Sequence, residues 1–305
     1  MHFSLPKFLR FGKKEISAVL ALHDDFIQVA QMDPKGRLLG FNETSLEKGV
    51  VVEGDIKEPD SFRETLGALL KGAHPHPIGT GRLAVNVPFR RLYPFVRDFS
   101  GSIPDATLKA EMDDHIRENC PLPPEELSFA YEKKSSSFGA VGMPRIFKGA
   151  VEKIAADLGI GPVELVPDPY ARIALFPEAP AGDFALFSQE GQKVSISLFR
   201  NGLLYDSFSP EGAIDANNSH YSGYHKISEE TKQDFEARFG HPFHMFYFIG
   251  FPKALQAKVR RVFTDPEDKL VFVDGKKSPF SGLFDAQYDQ MTLAGLTVYT
   301  GREKT

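Results

Sequence analysis

Short apolar runs separated by polar turns open this chain. Glu15–Leu22, Phe26–Met32 and Arg37–Asn42 have the length and apolar content of strands, with Asp33-Pro34-Lys35-Gly36 as the turn before the third. The plan returns midway. Asp183–Phe187, Lys193–Arg200 and Leu203–Phe208 repeat it, with Asn201-Gly202 as the last turn. The pattern therefore predicts two copies of a three-stranded meander. After the first copy the period changes. Pro59-Asp60-Ser61 suits a helix start, and Phe62, Leu66, Leu69 and Leu70 follow at helical spacing. Gly72–Gly81 reads as loop and Leu83–Val87 as a short buried strand, ended by Pro88 because proline cannot donate to a ladder.

Residues 93–160 read as a separate lobe. Pro104 opens a helix with Leu108, Met112 and Ile116 on one face, and Pro121-Leu122-Pro123-Pro124 stops it. Leu127, Phe129 and Tyr131 alternate as in a half-buried strand, and the Ser/Gly-rich Lys133–Gly142 reads as a mobile hairpin tip. Phe147, Val151, Ile154 and Leu158 mark a second helix, followed by a strand at Val163–Val166 and a short helix at Pro169–Leu175. Pro177–Gly182 is the expected domain boundary. Beyond the second meander, Ile214–Tyr224 has no period and reads as loop or disorder. Helices at Glu229–Phe239 and Leu255–Phe263 alternate with strands at Met245–Ile249 and Leu270–Val273, and a final helix at Met291–Val298 returns to the first half. The division is then an arm over 1–14, a first domain over 15–180 containing the lobe, and a second domain over 181–305.

Composition narrows the function classes. The chain has 305 residues, enough for two domains, with 42% hydrophobic and 25% charged residues, ordinary for a globular protein. A net charge of -5 gives nucleic-acid binding no global support. Lys253, Lys258, Arg260 and Arg261 form a local basic run, whose usual role is to meet water. The single cysteine, Cys120, permits no intrachain disulfide, as expected of a reducing compartment, and has no nearby base or cation to activate it. No run approaches the ~20 apolar residues that span a bilayer. Met1–Lys14 is aromatic and basic without the apolar region of a secretory signal, and suits either an arm or a contact with an anionic membrane.

Three motifs in order resemble the PilM family of type IV pilus assembly proteins. Glu47–Pro59 matches that family's acidic segment before a helix. Leu83-Ala84-Val85-Asn86-Val87-Pro88 matches its "VAVNVP" strand. Glu118–Tyr131 follows its "YIPFPLEEVNLDY" stretch. The resemblance implies an α/β, actin-like fold related to FtsA: a duplicated, ribonuclease H-like, two-domain architecture with an inserted subdomain in the first half. It also implies a cytoplasmic protein, peripheral to the inner membrane, that binds the short cytoplasmic tail of the membrane protein PilN. Secretion-system relatives of the GspL type carry a membrane span on the same chain; its absence here favours the PilM-like reading.

In actin-like ATPases the first turn of each meander grips the phosphates of Mg-ATP, and here both turns depart from that pattern. The first loop, D-x-G-S-S-x-x-K, places its Asp on Ala21, its Gly on His23, its serines on Asp24 and Asp25, and its Lys on Gln28. Ala21 cannot organise Mg²⁺, His23 fills space that backbone amides need, two carboxylates repel polyphosphate, and the Lys charge is gone. The second D-x-G falls on Ser188-Gln189-Glu190. The adenosine-side glycines are reduced to Gly250, with Phe251 placed to crowd a base. No ATP hydrolysis and no cofactor are therefore expected.

Three histidine pairs, His74/His76, His220/His225 and His241/His244, lack the converging ligand set of a zinc site, so no metal is expected. No catalytic constellation stands out. Phenylalanine is abundant, with 27 residues. Phe89, Tyr93 and Phe95, where lobe and first domain meet, suit core packing first, and are also candidates for the floor of a groove that takes the partner's tail as an extended peptide. The reading is a pseudo-ATPase scaffold without a nucleic-acid partner. Its rivals are a working actin-like ATPase with phosphate ligands elsewhere and an FtsA-like filament former; self-association is left open.

Overall fold

A computed structural model describes residues 17–33, 37–79, 81–176, 182–190, 193–210, 222–273 and 291–302. The expected arm, most of the Pro177–Gly182 boundary and residues 214–221 lie outside them. The first meander is β1 (Ser17–Leu22), β2 (Phe26–Met32) and β3 (Leu38–Ser45), followed by a small hairpin, β4 (Val51–Val52) and β5 (Asp55–Ile56). Helix α1 (Pro59–Lys71), β6 (His74–Pro75) and β7 (Arg82–Val87) come next. The lobe contains β8 (Tyr93–Asp98), α2 (Asp105–Asn119), β9 (Leu127–Lys134) and β10 (Ser137–Pro144). Helix α3 (Arg145–Asp157), β11 (Val163–Pro167) and α4 (Asp168–Ile173) complete the first half. The second half runs β12 (Phe184–Glu190), β13 (Lys193–Arg200), β14 (Leu203–Phe208), α5 (Ser222–Phe239), β15 (Met245–Ile249), α6 (Lys253–Val262), β16 (Lys269–Phe272) and α7 (Met291–Arg302).

Both large sheets use one plan. The first has the order β11-β7-β1-β2-β3-β6 and the second β14-β13-β12-β15-β16. In each, an antiparallel meander is extended from its first strand by two parallel strands. Parallel neighbours need helical crossovers, which α1, α3, α5 and α6 supply. This duplicated β-β-β-α-β-α-β-α unit is the actin-like fold. Asn201 and Gly202, both in the left-handed region with φ of 50° and 74°, make the tight turn the second meander needs.

The lobe enters between β7 and α3 and forms its own sheet, ordered β8-β10-β9, with a small core of Phe95, Leu108, Met112, Ile116, Phe138 and Ala140. Two expectations change here. Helix α3, placed in the lobe by the sequence reading, sends Phe147, Val151 and Ile154 into the main core, because its amphipathic face covers the first sheet. Lys133–Gly142 is not a mobile tip: Ser137–Pro144 is a buried central strand. Its glycines serve close packing. A Cβ on Gly142 would sit 2.5 Å from the Phe129 ring, and one on Gly139 would press on Leu203 of the second half. Ser222–Tyr224, read as part of a loop, is the start of α5, with Tyr224 buried in the second core.

Helix α7 belongs to the first half by packing. Leu293, Leu296 and Tyr299 join the core that holds Val19, Ala84 and Tyr170. It crosses α4 closely enough that a Cβ on Gly295 would strike the carbonyl of Ala171. Thr292 Oγ1 donates to Asp168 Oδ1 at 3.1 Å, and Arg172 Nε donates to Asp168 Oδ2 at 2.8 Å, so the buried carboxylate at this crossing is satisfied from both helices.

Candidate functional site

The turn between β1 and β2 has turned its hydrogen bonds inward. The N–H of Leu22 donates to Asn86 Oδ1 at 2.6 Å, and the N–H of His23 to the carbonyl of Phe26 at 3.1 Å. The His23 ring stacks on Phe26, with centroids 4.1 Å apart and planes 16° from parallel. Asp24 Oδ1 accepts the N–H of Gly54 at 2.7 Å, which ties the turn to the β4–β5 hairpin. Ala21 and Gln28 face each other in the β1–β2 register and are both fully buried, and Gln28 Nε2 donates to Glu43 Oε2 at 2.9 Å. The amides of Leu22 and His23 are thus occupied, and the Lys position of the motif is a buried amide inside the sheet.

The second turn is likewise sheet. Ser188 is buried between Ser195 of β13 and Ile249 of β15, and Glu190 pairs with Lys193 as the strands converge. Gly250, at φ 77°, lies so close to Gln189 that a Cβ would strike its carbonyl. Phe251, expected to crowd a base, turns instead into the second core against Phe248 and Tyr224, with centroids at 5.2 and 5.8 Å.

Among the described residues, an open groove of about 540 Å³ lies between α2, β9 and the start of α3. Ile116, Leu127 and Phe129 give it an apolar floor; Arg117, Arg145 and Lys148 surround it. Strand β9 is an edge of the lobe sheet, paired only with β10. Arg145 Nε donates to the carbonyl of Leu127 at 2.9 Å and caps one end of that edge. On the far wall, Asp113 accepts from Tyr131 Oη at 2.5 Å and from Lys109 Nζ at 2.7 Å. Burial opposes ionisation, but the hydrogen bonds from Lys109 and Tyr131 hold the Asp113 carboxyl below its usual range. Ile146, beside the groove on α3, is 79% exposed, an isolated large apolar side chain facing solvent.

The residues expected to floor such a groove lie elsewhere. Phe95 is in the lobe core, Tyr93 is half-buried against it, and Phe89 packs on the main core beside Arg90. All three sit on or before β8, the opposite edge of the lobe sheet from the groove. Sequence reasoning found β9 by its alternation but missed its role, because edge status follows from pairing order and no local pattern carries it.

The lobe is also fastened to the second half. Arg200, at the end of β13, donates through Nη2 and Nε to Asp98 Oδ2 at 2.7 and 3.1 Å, and through Nη1 to Asp183. Ser137 Oγ donates to Asp98 at 2.5 Å and accepts from Asn201 Nδ2 at 2.7 Å. Burial works against the charge on Asp98, but Arg200 and Ser137 hold its carboxyl below the usual range. Deeper in the seam, Lys134 Nζ reaches the carbonyl of Gly202 at 3.1 Å and Glu132 at 3.6 Å. Burial pushes the Glu132 carboxyl up to about 7, against the pull of Lys134.

Among the described residues one group, His244, Asp265 and Glu267, has ligand atoms close enough for a metal. A cation already stands there: Lys232 Nζ lies 3.2 Å from Asp265 and 2.6 Å from Asp268. His74 and His76 lie on and after β6 without a third ligand. Cys120 is half-buried at the end of α2.

Comparison with solved structures finds this fold in a pilus component and in a secretion component. The PilM-PilN type IV pilus biogenesis complex superposes with a TM-score of 0.64 at 14% identity, over 93% of this chain and 98% of that one. The cytoplasmic domain of EpsL, an inner membrane component of the type II secretion system of Vibrio cholerae, superposes with a TM-score of 0.51 at 11% identity, over 95% and 96%. No protein-family model matches the sequence, and no curated protein is similar to it. At these identities the similarity shows a shared fold, PilM-like in extent. No helix among the described residues is long and apolar enough to cross a membrane.

Proposed function

We propose that the protein is a non-catalytic, actin-like adaptor of a type IV pilus or related secretion machine, held at the cytoplasmic face of the inner membrane by the tail of a PilN-like membrane protein. The observation that carries this reading is the groove beside the unpaired edge of β9. An edge strand offers main-chain hydrogen bonds to an extended peptide, and the neighbouring apolar floor selects its side chains. Arg145 and Lys148 add cations that favour an acidic residue in the tail. The inward hydrogen bonding of the β1–β2 turn supports a role without ATP hydrolysis.

The test is binding of the N-terminal cytoplasmic tail of the PilN-like protein from the same organism, as a labelled peptide, to the full chain. Ser128→Trp, which places a ring in the groove, should weaken binding at least about tenfold while the melting temperature stays put. Unchanged affinity in that variant would move the site elsewhere. If the tail fails to bind the wild-type protein, the adaptor reading falls.

A further inference from the structure

Helix α6 carries Lys253, Lys258, Arg260 and Arg261 and no acidic residue. All four are exposed, as are Ala254 and Ala257, which lie between them on the outward face; Leu255 and Val259 turn into the second core. Several other surface cations pair with an acid on their own helix: Lys109 with Asp113, Arg117 with Asp114, Lys226 with Glu230. Among the described residues, no carboxylate lies within ion-pair distance of Lys253, Arg260 or Arg261. The acids that follow in the chain are engaged elsewhere, Asp265 and Asp268 by Lys232 and Glu267 by His244. Arg260 stands over the Phe272 ring at 4.5 Å, which orients its guanidinium without neutralising it. In a chain of net charge -5, three cations without a carboxylate partner among the described residues, Lys253, Arg260 and Arg261, thus stand together on one short helix.

The shape of that face points to its ligand. Two alanines at its centre leave it low and flat, so a planar array of anions can meet all the cations together. Single-stranded nucleic acid asks for exposed rings on which bases stack. Among the described residues, the rings around α6 are not available for that: Phe251 is buried, and Phe263 and Phe272 are half-buried in the second core. We propose that α6 docks on an anionic phospholipid bilayer and lays the second half against the membrane. The inference rests on the adaptor reading only for placing the protein near such a surface, where the tail in its groove would raise the effective concentration of the weak lipid contact.

Co-sedimentation of the full chain with vesicles, without the tail, tests it. Phosphatidylcholine vesicles containing phosphatidylglycerol should pull down the protein, and vesicles of phosphatidylcholine alone should not. Lys253→Glu with Arg261→Glu should cut the bound fraction at least about tenfold, as should high salt. Ser128→Trp should leave vesicle binding intact, which separates this surface from the groove. No binding to the anionic vesicles, equal binding to both kinds, or a double variant that still binds would overturn the proposal. Tighter binding to a DNA oligonucleotide, lost in the double variant, would overturn it in favour of a nucleic-acid ligand.

Discussion

Arg200 grips Asp98 through two guanidinium nitrogens, so the end of a strand in the second half holds the end of a strand in the lobe. The lobe grows out of the first half, yet this fork fixes it to the second. It therefore acts as a strut between the two halves of the fold, and the β9 that borders the groove also carries Glu132 and Lys134 at the seam.

Arg200→Ala should destabilise the protein by about 2–3 kcal/mol, because it strands the carboxylates of Asp98 and Asp183; the partial exposure of Asp98 keeps the cost below that of a fully buried pair. Arg200→Lys should recover only part, since an ammonium cannot reproduce the fork. Urea denaturation gives the energies. Amide exchange should quicken in β8 and β14 ahead of the rest of the sheets.

Gly295→Leu should cost about 1–3 kcal/mol by forcing α7 off the Ala171 carbonyl. The readout is the urea midpoint. A neutral substitution would show that the α4–α7 crossing tolerates separation.

The seam should also be sensitive to pH. Glu132 titrates near 4.5 when exposed and at about 7 in the fold, so the folded chain holds its proton where the unfolded chain has released it. Its contribution is fully present below 4.5 and is lost as pH rises towards about 7. In Glu132→Gln, the part of the fall in melting temperature between those pH values that belongs to this carboxyl should vanish. Opposing it, Asp98 has a depressed carboxyl whose contribution is lost on acidification, so the two groups slope in opposite directions. Melts in a pH series of wild type and variant separate them.

Saturating Mg-ATP should leave the melting temperature unchanged. A ligand at ~100 times its dissociation constant would add about 2.7 kcal/mol if it bound only the native state. A shift of that size would revive the ATPase reading and require phosphate ligands other than the first turn's amides of Leu22 and His23.

Much of the fold is readable from local pattern. Strands β2, β13 and β14 have the predicted limits, because alternation and turn residues act over a few neighbours. The loss of the phosphate motif at Ala21, His23 and Gln28 is equally local. What escaped depends on distant partners. The glycines of β10 look like a loose tip until Phe129 and Leu203 are packed against them. Phe89, Tyr93 and Phe95 allow core packing or a groove floor until the order β8-β10-β9 puts them on the edge away from the α2–β9 groove. Arg200 gave no signal at all, since its partners lie 17 and 102 residues away.

The packing of α7 has a consequence for how the chain is made. Leu293, Leu296 and Tyr299 fill the core around β1, so that strand waits for residues synthesised much later before its core can close. Until α7 is made, the part of the core that it fills stays open. A stalled or clipped chain lacking α7 would leave that part of the core open, with Val19, Ala84 and Tyr170 missing the side chains that close over them.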